Sequence, residues 1–320
     1  MNRNTPNSQL RSKKTWSKLI DRRKKPAKVA QPPTEEPNTS TAINLNDNYT
    51  TPAEEVDNGG EFELVIPATL PRVKKEWALK VNNVGFDPKV LYEDADCLVI
   101  DKPSNIMAHP DEKVESYTIS DWMGATYPQS IELDPERPGI VHRLDRDTSG
   151  CMLLVKNTKA YNYFKSQFQD KTIKKVYLAI VAGNIKDDTG IIDTPIARAR
   201  SDFRKREVKN DFTKDYRGEE REAITRYKVI ERINGALGKF TVVECFPLTG
   251  RTHQIRVHMR SIRHPIIGDK LYGSRESSGL AERQMLHAVR LEFKNKSQKI
   301  AISSPLPNDF ESTLEKLRQI

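Results

Sequence analysis

Apolar and polar positions divide this chain of 320 residues into short runs. Val90-Leu91-Tyr92 and Cys97-Leu98-Val99-Ile100 flank an acidic turn, the pattern of a β-hairpin, and Lys102-Pro103 ends it. Cys151-Met152-Leu153-Leu154-Val155 and the run 176–182 are continuously apolar, as strands buried on both faces are. Strands are also predicted over 223–230, 239–246, 285–293 and 299–303. Residues 117–127 read as a helix. Ala160, Tyr163, Phe164 and Phe168 fall at helical spacing behind Thr158, which is predicted to cap that helix. Residues 251–261 and a terminal segment from Asp309 complete the predicted helices. Strands outnumber helices and mostly do not alternate with them one for one. The pattern therefore predicts an α+β fold on a largely antiparallel sheet.

The pattern is absent before residue 61. Residues 1–60 are rich in Pro, Asn, Thr and charge and are expected to be a disordered tail. Residues 61–87 are ambiguous: 61–66 alternates like a strand, and 73–81 has helical character. Residues 88–320 form the expected globular domain. Within it, residues 196–221 are dense in charge and poor in large apolar groups. Arg198, Arg200, Arg204, Lys205 and Arg206 crowd together there, which reads equally as an RNA-facing excursion and as a mobile surface insertion.

Charge sharpens the picture. The net charge is +9, and it is unevenly placed. Residues 1–30 hold ten Lys/Arg against one acid, Asp21, while residues 31–60 hold six acids and no base. A basic arm gathers polyanions by counterion release without sequence preference. The bland alternative is a solvated arm with no dedicated role. No apolar run approaches the roughly 20 residues of a membrane-spanning helix, and no secretory h-region stands out. Three cysteines, Cys97, Cys151 and Cys245, sit far apart in apolar runs. That suits buried free thiols in a reducing, cytoplasmic setting better than a disulfide frame.

The densest chemistry lies at His142-Arg143-Leu144-Asp145-Arg146-Asp147-Thr148-Ser149-Gly150, directly before the apolar run at 151–155. A loop anchored by a core strand is where functional side chains are commonly held. Asp145 has Arg143 and Arg146 beside it and His142 close by. Cationic neighbours keep a carboxylate ionised, as nucleophilic or charge-stabilising work requires. Asp147 reads as a turn residue. A second constellation runs from Leu248 to His258. There Thr252 or Thr249 is predicted to cap a helix on which Arg256 shares a face with His253. His253, His258 and His264 match no helical ligand spacing, and no metal site is predicted. Tyr177, read alone, is a core or rim tyrosine of its strand.

These segments together resemble the RluA-type pseudouridine synthases, in particular the branch acting on large-subunit rRNA. His-Arg-Leu-Asp-x-x-Thr-Ser-Gly at 142–150 is similar to the family signature. Leu91-Tyr92-Glu93-Asp94 through Asp101-Lys102-Pro103, Tyr177-Leu178-Ala179, Gly250-Arg251-Thr252-His253-Gln254-Ile255-Arg256 and His264-Pro265-Ile266-Ile267-Gly268-Asp269 agree in order and spacing. Leu286-His287-Ala288 and Ser304-Pro305-Leu306-Pro307 complete the likeness. The resemblance implies the pseudouridine-synthase fold, with flanking helices and a central RNA-binding cleft. It implies Asp145, Tyr177 and Arg256 as catalytic residues. Arg143 would displace the target base, and His142, Arg146, Arg251 and His253 would contact RNA. It implies no metal or organic cofactor. The chain is expected to depart from the family in lacking an intact S4 domain: the space before the catalytic domain is too short and too polar for one, and 61–87 reads as a linker or an S4 remnant.

The expected activity is therefore isomerisation of uridine in RNA, with rRNA as substrate and tRNA as the alternative. Two rival classes remain. A glycoside hydrolase also attacks a C1′ bond, but no second carboxylate stands at a matching loop. A silent RNA-binding protein on this fold would not need Asp145, Tyr177 and Arg256 together. A monomer is expected, because no amphipathic assembly face stands out.

Overall fold

The computed structural model describes residues 87–110, 117–208 and 216–319. The expectations for the tail and for 61–86, including the missing S4 domain, lie outside the described residues. Twelve strands and five α-helices follow within them. In chain order these are β1 (Lys89–Glu93), β2 (Cys97–Lys102), α1 (Ile119–Thr126), β3 (Ser149–Val155), α2 (Thr158–Gln169), β4 (Lys174–Ala182), β5 (Thr189–Asp193), β6 (Ile196–Ala199), β7 (Arg206–Val208), β8 (Tyr216–Arg221), β9 (Ile224–Gly235), β10 (Gly238–Pro247), α3 (Gln254–Ser261), α4 (Arg275–Ser278), β11 (Leu286–Asn295), β12 (Gln298–Ser303) and α5 (Asn308–Arg318).

Nine strands form one sheet in the order β1-β2-β3-β11-β4-β10-β9-β5, with β12 alongside β11. All its pairings are antiparallel except β3 with β11, which run parallel where Ser149 and Gly150 face His287 and Ala288. This is the α+β, largely antiparallel architecture that the pattern predicts. The central strands are apolar throughout because both faces are covered. Cys97, Val99, Cys151, Leu153 and Val155 point to one side and pack with Ala160 and Phe164 of α2. Leu98, Ile100, Met152 and Leu154 point to the other and pack with Ile119, Trp122 and Met123 of α1. Further along the sheet, β4 and β10 share a core with Ile255 and Met259 of α3 and with Phe310, Leu314 and Leu317 of α5. All three cysteines are buried and unpaired.

The described part of the charged excursion is built on strands. β7, β6 and β8 make a separate three-stranded sheet. It is small because its apolar content is small: Ile196 joins Ala223, Val257 and Tyr272 in a satellite core against α3.

Two predicted caps shift. Asn157, not Thr158, caps α2, its Oδ1 accepting from the Ala160 amide at 2.9 Å. Neither Thr252 nor Thr249 caps α3. That helix starts at Gln254, preceded by His253 in the left-handed region at φ 58°, with no side-chain cap. Thr249 instead donates to Gln254 Oε1 at 2.7 Å and accepts from the Ile224 amide.

Candidate active site

Asp145 lies on the loop that enters β3, and buried polar groups hold that loop almost residue by residue. Leu144 is sunk in the core on the α1 side of the sheet. Lys102, fully buried at the end of β2, donates from Nζ to the carbonyls of Pro103, Ile106 and Arg146. Burial pushes its pKa down to about 7, with the charges of Asp147 and Asp145 opposing. Three carbonyl acceptors use all three N–H bonds of the ammonium form. Arg283 donates to the Asp147 carbonyl at 3.0 Å while its other nitrogens grip Asp309. Gln284 donates to Thr148 Oγ1, and Ser149 Oγ is bonded to His287 Nδ1 at 2.9 Å. Gly150 then turns the chain at φ 107°, where an added Cβ would collide with the Ala288 carbonyl. Only glycine allows the parallel pairing to begin so close to the loop.

Arg256, in the first turn of α3, faces this loop. Its Nη1 donates to Asp145 Oδ2 at 2.9 Å, while Nε and Nη2 hold both oxygens of Asp269 at 2.7 and 2.9 Å. Asp269 is wholly buried and also accepts the amides of Leu271 and Tyr272. The ring of Tyr272 lies under the guanidinium, 5.0 Å from ring centre to Cζ. Arg256 is thus fixed on two carboxylates and an aromatic face, the bidentate and stacked geometry that a lysine cannot reproduce. Gly268 makes the turn into Asp269 possible: at φ 73°, a Cβ would run into the Arg283 carbonyl.

Burial opposes ionisation of Asp145, but the charges of His253 and Arg256 and the Arg256 hydrogen bond outweigh it and hold the carboxyl below its usual range. Burial also depresses the His253 imidazole. The charge of His253 counts only where the imidazole is protonated, whereas Arg256 is a permanent cation that keeps Asp145 ionised at neutral pH. His253 Nε2 stands 4.0 Å from Asp145 Oδ1.

Asp145 opens onto a cavity of about 600 Å³, within the roughly 300–1,000 Å³ usual for small-ligand sites. Tyr177 of β4 lines it with Lys175, Phe168, Arg251, His253 and Arg256. Burial, then the Asp145 charge, raises the Tyr177 phenol well above its ordinary value, so it stays protonated. A smaller cavity of about 240 Å³, also lined by Asp145, His253 and Arg256, is edged by His109, Arg143, Arg146, Lys270 and Arg283.

The structure thus brings Asp145, Tyr177, Arg256 and His253 together. The other expected RNA contacts are spread around them. Arg143 is exposed, its Nη1 paired with His109 Nε2 at 2.8 Å. Arg146 is held by Asn105 Oδ1 at the solvent-facing rim. Arg251 lines the cavity and donates to the Glu222 carbonyl at 3.0 Å. His142 is engaged in the wall: its Nε2 accepts the Leu153 amide, its ring stacks on Phe168, and burial pushes its pKa down to about 3. Among the described residues no cluster of His, Cys, Asp or Glu is arranged to hold a metal. Sequence reasoning did not single out Asp269, Tyr272 or Lys102. The only signal for Asp269 and Lys102 was membership of the motif segments Gly268-Asp269 and Asp101-Lys102-Pro103, and Tyr272 had none, because their partners lie elsewhere in the sequence.

Chemically, the cavity offers an ionised carboxylate held still by a guanidinium, a protonated phenol beside it, and a basic rim suited to a polyanion. A family model described as RNA pseudouridylate synthase matches residues 96–261. The chain is 37% identical over 245 residues to an uncharacterised RNA pseudouridine synthase of Bacillus subtilis (strain 168), covering 76% of this chain and 77% of that one. It is 32% identical over 294 residues to ribosomal large subunit pseudouridine synthase D of Neisseria meningitidis, covering 87% and 72%. The solved structure of human RNA pseudouridylate synthase domain containing 1 superposes with a TM-score of 0.57 at 23% identity, over 73% of this chain and 96% of that one. That last likeness is one of fold.

Proposed function

This chain belongs to the RluA-type family of RNA pseudouridine synthases and isomerises uridine to pseudouridine in RNA, and on that premise we propose that Asp145 performs the reaction on large-subunit ribosomal RNA. The observation that carries the reading is Asp145 itself, ionised, pinned by Arg256 and opening onto a nucleoside-sized cavity.

A uridine leaves its stack to enter the cavity, at a cost of a few kcal/mol. Arg143, exposed at the rim, takes the place of the displaced base. The Asp145 carboxylate attacks C1′, or takes a proton from the ribose, and the C1′–N1 bond breaks with its electron pair leaving on the uracil. The uracil turns, C5 bonds to C1′ as the Asp145–C1′ bond breaks or the ribose regains its proton, the C5 proton leaves, and N1 gains a proton, so the carboxylate is regenerated and the product has the atoms of the substrate. Tyr177 lies against the base and, as a protonated phenol, assists by hydrogen bonding rather than as a free phenolate. Arg256 supplies no proton; it orients Asp145 and keeps it charged. His142 braces the cavity wall, and Arg146 and Arg251 meet the RNA backbone. A curated relative is named for the large ribosomal subunit, and the arginines of the β6–β8 sheet and of the rim suit a densely charged, folded RNA. No cofactor enters the scheme. The buried thiols favour a reducing, cytoplasmic setting.

The test is pseudouridine formation on large-subunit rRNA transcripts, ribosomal precursor particles and tRNA transcripts, comparing the wild type with Asp145→Ala. Product in rRNA that disappears with the variant, while RNA binding persists, supports the proposal. Product confined to tRNA would overturn the substrate, and product from the Asp145→Ala variant would overturn the role of Asp145.

A further inference from the structure

His253 is placed with unusual care. It precedes α3 in the left-handed region, a backbone state that non-glycine residues adopt rarely and at some cost in strain. Its ring is held edge-on to Tyr272, and Nδ1 lies 2.8 Å from the Tyr272 hydroxyl. The same hydroxyl accepts the Arg206 amide at 2.8 Å. A chain of hydrogen bonds therefore runs from the start of β7, through Tyr272, to a histidine beside Asp145.

The donors in this chain fix the proton on the imidazole. The Arg206 amide can only donate. The Tyr272 hydroxyl has one hydrogen of its own, and among the described residues its one acceptor is His253 Nδ1. Were Nδ1 protonated, the hydroxyl would receive two N–H groups and its own hydrogen would be stranded in a buried site. Nδ1 is thus the acceptor and Nε2 carries the hydrogen. A carboxylate oxygen of Asp145 4.0 Å from Nε2 leans the same way, too weakly at that distance to fix the tautomer by itself. The distance is too long for a direct hydrogen bond. His253 lines the cavity beside the carboxylate, and among the described residues its Nε2–H has a hydrogen still to be given.

We infer that Tyr272 locks His253 as the Nε2–H tautomer, and that this N–H donates to an oxygen of the flipped nucleoside while Asp145 acts on its ribose. The inference rests on reading the cavity as the uridine site. Tyr272 never meets the substrate. It is a positioning residue that acts through His253, as Asp269 acts through Arg256, and its link to the Arg206 amide ties that proton to the seating of the basic β6–β7 hairpin.

The test uses the full chain labelled with ¹⁵N-histidine, the His253 signals being identified by their loss in His253→Gln. The wild type should show a protonated Nε2 and a bare Nδ1. Tyr272→Phe keeps the ring over Arg256 and should give a mixture of tautomers. Its single-turnover rate should fall roughly tenfold, with KM unchanged. A protonated Nδ1 in the wild type overturns the inference. So does an unchanged tautomer in Tyr272→Phe, or a changed tautomer with an unchanged rate. If Tyr272→Phe fails to fold, a second pair decides: His253→Gln, which keeps an N–H donor, should retain roughly tenfold more rate than His253→Leu, and equal rates overturn the donor role. A wild type that shows the Nε2–H tautomer but converts no uridine in any RNA would overturn the uridine reading and leave the tautomer standing, so the two failures are told apart.

Discussion

Asp269→Asn asks whether Arg256 serves Asp145 as a rigid support or only as a charge. The substitution keeps shape and removes one of two carboxylates around a buried guanidinium. The asparagine carbonyl would still accept the Leu271 and Tyr272 amides, but its NH₂ group would face the Arg256 Nε–H, donor against donor. Breaking a buried ion pair from one side costs about 3–5 kcal/mol. Asp145 still neutralises Arg256 from the other side, so the lower end applies, about 3 kcal/mol. For a domain of this size that lowers Tm by roughly 6–12 °C. Arg256 then hangs on Asp145 alone, and displacement of reacting groups by about 1 Å costs on the order of 10²-fold in rate. Its positive charge, no longer shared, holds Asp145 ionised even more firmly. Raising the pH should therefore rescue nothing. Thermal unfolding and single-turnover pseudouridine formation at two pH values make the assay. A variant with native Tm and rate, or one whose rate recovers at higher pH, would refute the idea of a rigid support.

Five further outcomes are expected. The single-turnover rate should show no inflection at the ordinary histidine value of about 6.5, because Asp145 and His253 both titrate below their usual ranges; an inflection there would show an ordinary histidine. The stability that the Asp145 pair adds follows the same sign: present above the unfolded carboxylate value and lost as pH falls through the depressed one, which acid unfolding of wild type against Asp145→Asn would display. Lys102→Met strands three carbonyls and should cost roughly 3 kcal/mol in urea unfolding along with most of the rate; a native denaturation midpoint would count against it. Tyr177→Phe should keep RNA affinity and lose about 10²-fold in rate, while deletion of residues 1–60 should raise KM at low salt and leave the single-turnover rate intact, checked by full kinetics on one transcript.

Much of this was legible in the sequence, for reasons that individual residues make plain. β2 and β3 are apolar at every central position because α1 and α2 cover opposite faces, so their runs stood out. The Asp145 loop was visible because its charges are crowded into adjacent positions. Asp269 and Tyr272 escaped notice because their chemistry depends on Arg256, His253 and Arg206, brought near only by the fold. β5 was missed as a five-residue edge strand with an exposed Ile191 and no alternating pattern. The start of α3 was misplaced because a left-handed histidine leaves no mark in composition, whereas a Thr in front of an apolar run does. The three strands of the β6–β8 sheet were obscured by charge, since that sheet buries little beyond Ile196 and its alanines.

The anchors of the Asp145 loop come from opposite ends of the domain. Lys102 lies 44 residues before Arg146 in the hydrogen bond it makes, and Arg283, Gln284 and His287 lie 136 to 138 residues beyond the groups they hold. A nascent chain emerging from the ribosome carries Asp145 long before it carries the residues that aim it. The carboxylate is therefore loose until β11 slots in parallel beside β3, a late, non-local step that aims it. Competence to modify RNA is in this way made conditional on completion of the domain, and a chain truncated before β11 would be expected to leave any RNA it meets unaltered.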